Sequence, residues 1–268
     1  MKVIPYVVAG TLFLLGCDSR PDLASICKES PALCTEFLED SWCKKERVET
    51  IYSNYFLNTA QSNQDKFKYN LLIAYEEYAA CMNHASKIEH IKLKYKQRNR
   101  IDNFVKAKER IKEISIDTRS SNHPELLYYH WTRYLNESAL EKFLAMEGSA
   151  ALDTPESQFN LATYYIKRDP EHTLDLLFRA LELVKEGDVI NKEIFKSLTT
   201  IFTDKKEYKQ AYIWLKILNL YDPEDKDISE QGLKDYTQFY KLDPPFLDKV
   251  AEATLNKIFD GQFTAPKH

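Results

Sequence analysis

The side chains best equipped for chemistry are five cysteines and six histidines in a chain of 268 residues. Cys27, Cys34, Cys43 and Cys81 are separated by six, eight and 37 residues. Tetrahedral zinc sites and dithiol redox centres hold two thiolates on one tight turn, as C-x-x-C, and no such pair occurs. His123 and His130 lie seven apart and could share a helix face, yet no carboxylate or third histidine stands at metal-ligand spacing. HExxH and GxSxG are absent, and Ser25-x-x-Lys28 has no companion motif. Of six glycines, Gly10 and Gly16 fall in an N-terminal apolar stretch and the other four are isolated, so no loop brings backbone close to a phosphate. These residues predict no metal, no cofactor and no enzyme. An even set of four cysteines predicts two structural disulfides in an oxidising compartment.

The N-terminus supplies that compartment. MKVIPYVVAGTLFLLGC places Lys2 before fourteen uncharged residues, Val3 to Gly16. A spanning helix needs about 20 apolar residues, so the stretch reads as a signal-peptide h-region. Its end, Leu14-Leu15-Gly16-Cys17, resembles the lipobox of bacterial lipoproteins. The resemblance implies cleavage before Cys17, acylation there, and a stable anchor of two or three chains. Asp18 then occupies the position where aspartate favours inner-membrane retention. Loss of Lys2 with the leader takes the formal charge from −4 to −5, and nucleic acid is not an expected partner.

The rest must position these groups, and its pattern is helical. With 44% hydrophobic and 29% charged residues the chain can bury a core. Apolar residues recur at three and four from Lys44 onward, with a polar turn at 61–65. The spacing predicts helices over 44–60 and 66–95 as an antiparallel hairpin within a long-helix region, 44–120. Residues 17–43 read as a lipidated tether with a Pro- and Cys-bearing turn, 121–260 as a helical repeat region and 261–268 as a tail. A hairpin centred near residue 63 sets Cys43 beside Cys81 and leaves Cys27 with Cys34. The competing pairing, Cys34–Cys81 with Cys27–Cys43, requires the segment before Lys44 to fold back. Residues 87–112 carry ten Lys/Arg and three acids. A contact with anionic headgroups or an acidic partner is one reading; a solvated face balanced by acids elsewhere is preferred. The aromatics Tyr128, Tyr129, Trp131 and Tyr134 read as packing on a helix opened by His123-Pro124.

Ser157–Val184 superposes on Ile194–Tyr221. Leu161, Ala162 and Tyr165 fall on Leu198, Thr199 and Phe202, and Thr173, Leu177 and Ala180 on Ala211, Leu215 and Leu218. The pattern resembles tetratricopeptide or Sel1-like repeats. A degenerate third unit follows Pro244-Pro245 with Ala251, Leu255 and Ile258. The predicted fold is therefore all-α, a long helical hairpin followed by stacked helix pairs, α-solenoid-like. By that resemblance Phe159, Thr163 and Ile166, with Lys196, Thr200 and Thr203, line a partner groove.

The Cys27–Cys43 region, LLYYHWTRY (126–134), KFLAMEGS (142–149) and the stretch Leu161–Leu198 also resemble a proteobacterial lipoprotein family defined by a domain of unknown function. That resemblance implies no activity. The expected role is a membrane-anchored periplasmic interaction module for an envelope protein or peptide. The alternative is a structural or assembly lipoprotein; an enzyme is the weakest reading.

Overall fold

The computed structural model describes residues 20–89 and 92–266. The leader, Cys17 and Asp18 lie outside the described residues. Among those described, thirteen α-helices and one 3-10 turn account for the regular structure, and no strand occurs. The all-α expectation holds. The chain divides into two compact units, which meet in sequence between Thr118 and Arg119.

The first unit begins with two short helices where the sequence suggested an irregular turn: α1 (Leu23–Glu29) and α2 (Pro31–Thr35). Local chemistry explains both. Asp22 accepts from the Ser25 N–H at the start of α1, and Pro31 opens α2 at the position where its missing N–H costs nothing. Next come α3 (Lys44–Thr59), α4 (Gln64–Ser86) and α5 (Lys94–Asp117). The turn into α4 passes through Asn63 at φ 56°, a left-handed conformation asparagine tolerates better than most residues. α4 packs between α3 and α5, burying Leu71, Leu72, Tyr75, Tyr78, Ala79 and Met82 along one face.

α4 stops at Ser86, not near residue 95 as the apolar spacing suggested. Tertiary partners for its last carbonyls explain the stop. Arg100 Nη1 donates to the Ala85 oxygen at 2.9 Å and Gln97 Nε2 to the Ser86 oxygen at 3.1 Å. Both donors come from α5, so these carbonyls are satisfied without another helical turn.

In the second unit α6 (Pro124–Tyr134) and α7 (Glu137–Leu144) precede a 3-10 turn at Ala150–Leu152. Helices α8 (Pro155–Tyr165) and α9 (Pro170–Glu182) pair, as do α10 (Glu193–Asp204) and α11 (Tyr208–Tyr221). α12 (Glu230–Tyr240) and α13 (Pro244–Phe259) close the unit by packing on α11. Starts are sharply marked: Asn136, Thr154, Asp169 and Ser229 accept backbone N–H bonds as N-caps. Pro124, Pro155, Pro170 and Pro244 occupy first-turn positions. The superposed small positions, Thr173 and Ala211, are both fully buried. One core runs through Phe178, Phe195, Phe202 and Trp214. The segment after α13 joins it: Phe263 is buried with its ring 6.2 Å from that of Phe178. The Ala265 N–H donates to Glu182 at 2.9 Å.

Candidate functional site

The two cysteine pairs frame the first unit. Cys43 is bonded to Cys81 and Cys27 to Cys34, with Cα separations of 6.0 and 5.5 Å. These are the pairs that the hairpin geometry predicts. Glu46 stands close to Cys43 and Cys81, but both sulfurs are consumed by their own bond and are poor ligands for a metal. Between the bridges, segment 36–42 crosses α4 and α5. Phe37 packs on Tyr78, and Asn103 holds both the N–H and the carbonyl of Leu38, at 2.9 and 2.8 Å. Asp40 receives two bonds from the Arg100 guanidinium, at 2.8 and 3.2 Å, with both side chains almost wholly buried. Burial alone would raise the Asp40 carboxyl. The Arg100 bonds and the Trp42 N–H outweigh it and hold the group below its usual range.

A concavity lined by charged side chains lies in the second unit. The turn after α7, the 3-10 turn, α8 and α9 enclose about 520 Å³. Gly148, at φ +75°, makes the turn that aims Glu147 inward. Tyr165 Oη donates to Glu147 Oε2 at 2.7 Å, and His172 Nε2 lies 2.7 Å from Glu147 Oε1. The bond to Glu147, seconded by burial, pushes the Tyr165 hydroxyl up to about 12. The Tyr165 ring meets His172 edge-on at 4.6 Å. Across the cavity Arg179 grips Asp153 through Nε and Nη2, at 3.1 and 2.8 Å, while Nη1 reaches Glu182. Gln158, from a buried position, donates to the Leu152 carbonyl at 2.8 Å and anchors the 3-10 turn. The walls thus offer paired charges and hydrogen-bonding edges held rigid by their own partners, an arrangement suited to recognition. Ser149 Oγ donates to the Met146 carbonyl.

Residues 14–216 match the family described as Protein of unknown function (DUF2989). The chain belongs to this family. The DUF2989 match takes in all four paired cysteines and the whole cavity, and ends inside α11. No curated protein and no solved structure matches the chain.

The six expected groove positions do not form one open face. Thr163 shares a 2.6 Å hydrogen bond with Tyr128 of α6. Phe159 is half-buried against the core, while Ile166 is exposed. Thr200 and Thr203 return their hydroxyls to the carbonyls of Lys196 and Thr199. Lys196 is engaged by Asp227 at 2.6 Å, Asp225 at 3.2 Å and Glu193 at 3.3 Å. Lys192 joins the cluster through Asp222 and Asp225. The Lys192 bond, then the Asp227 N–H, hold the Asp225 carboxyl down to about 2.

The cavity was not legible as such. KFLAMEGS spans Glu147 and Gly148, but His172 reaches Glu147, and Arg179 reaches Asp153, only because α9 folds back along α8. The aromatic group divides as well: Tyr129 is buried, Tyr128 and Trp131 are half-buried, and Tyr134 is exposed.

Proposed function

We propose that this protein is a lipid-anchored envelope lipoprotein whose helix pairs dock a protein or peptide partner. Acylated Cys17 would hold it on the periplasmic face, with Asp18 favouring the inner membrane. The two disulfides suit an oxidising compartment, and no helix among the described residues is long and apolar enough to cross a membrane. The tetratricopeptide-like spacing of α8–α9 and α10–α11 supports the docking role, since stacked pairs serve as extended binding scaffolds.

The observation that carries the reading is the cavity where Glu147 and Asp153, from the segment before α8, face His172 and Arg179 of α9. A pocket whose polar groups are already positioned binds without the entropy cost of ordering them. Ala150, exposed at its rim, provides the test. Native protein from detergent-solubilised membranes should carry a stoichiometric partner. Ala150→Trp should lose that partner at an unchanged melting temperature. Retention of the partner by the filled cavity, or purification of the native protein alone, overturns the proposal.

A further inference from the structure

Of the eight basic residues on α5, Lys96 lends its charge to Asp40 and the other seven divide into two sets. Arg100, Lys106 and Arg110 serve segment 36–42, bonding Asp40, the Glu36 carbonyl and the Glu36 carboxylate respectively. Lys94, Arg98, Lys108 and Lys112 have no hydrogen-bond or ion-pair partner among the described residues. At 3.6 residues per turn these four fall within roughly 80° of arc. Ile101, Val105 and Ile116 fill the same arc and are 47%, 46% and 56% exposed. Asp102, Glu109 and Glu113 lie on the flank beside it, so the stripe itself holds no acid. The buried face of α5, Asn103, Ala107, Ile111 and Ser115, adjoins the stripe on the side of Lys108. From Lys94 to Ile116 the stripe extends about 33 Å.

A solvated helix face does not explain three exposed β-branched residues. They are weaker helix formers than straight-chain residues, and leaving them in water forfeits the free energy of burying their apolar surface. Something of negative charge and partly apolar character fits the stripe better. We propose that it docks the first unit onto an anionic phospholipid surface. The aliphatic side chains enter the boundary between headgroups and acyl chains. The lysine and arginine stems extend along them, so each charge meets a phosphate. A second copy of the chain is excluded as the occupant, because pairing two stripes would set cation against cation. The inference is independent of acylation at Cys17, since it concerns lipid charge.

Lysine acylation by an N-hydroxysuccinimide ester, read by peptide mass spectrometry, tests it. The full chain is mixed with vesicles of phosphatidylcholine alone or with added phosphatidylglycerol. Labelling of Lys94, Lys108 and Lys112 should fall about threefold or more only with phosphatidylglycerol, and recover in about 0.5 M salt. Exposed Lys205 and Lys206 serve as references and should not change. Ile101→Ser with Val105→Ser should lose most of the protection at unchanged helicity. Equal labelling in both vesicles, unchanged protection in the double variant, or equal protection by soluble polyglutamate would each overturn the proposal.

Discussion

Asp225 is almost fully buried between Lys192 and Lys196, and its carboxyl is held down to about 2 against an unfolded value near 3.9. A depressed carboxylate stabilises the fold above its unfolded pKa, and that stabilisation is lost as pH falls through the folded value. Asp225→Asn should therefore melt below the wild type at pH 7. The difference should shrink as pH drops from about 4 toward 2. Melting curves at several pH values check this; a gap independent of pH would make Asp225 a packing residue alone. The i,i+4 placement of the two lysines is visible in the sequence. Apart from Glu193 on the same helix, their acids arrive from the 222–227 turn, which only the tertiary structure sets beside them. The same holds for Arg100, whose buried partner Asp40 lies 60 residues earlier.

The α3–α4 hairpin is closed at its open end by Cys43–Cys81, with 38 residues of separation. In the chain-entropy account, tying a loop of that size stabilises by about 3–4 kcal/mol, by restricting the unfolded chain. Cys43→Ala with Cys81→Ala should lower unfolding free energy by that order, read from denaturant unfolding with midpoint and slope both fitted, since the opened loop exposes more unfolded surface. A loss confined to a few tenths would show that packing of α4 on α3 and α5 suffices. The hairpin pairing was legible because helix rise is constant, so residue number translates into position along the axis. The end of α4 was not. Ile88, Ile91 and Tyr95 continue its apolar period, yet side chains of α5 supply the last hydrogen bonds. Helix starts were easier to read than stops, because a cap or a first-turn proline lies in the sequence beside the helix it opens.

At the scale of the whole molecule, the first unit carries both disulfides and the second carries the cavity and the repeated pairs. Covalent lipid anchoring would be a property of neither core but of Cys17. Cys17→Ser should abolish metabolic acyl labelling and release the protein from membranes or leave it unprocessed. Wild-type protein that washes off in high salt and carries no acyl mass would remove the anchor. Helix class, the paired order of elements in the second unit and the cysteine pairing were determined by the sequence itself. Each rests on near-neighbour physics: apolar period, capping, and the fixed rise of a helix. The cavity at Glu147 and His172, the ion cluster at Asp225 and the division of the α5 cations into two sets were decided only by tertiary structure. Those features join side chains from separate elements. Which carboxylate a given lysine or arginine meets depends on how helices pack, and the same run of charges is compatible with many packings.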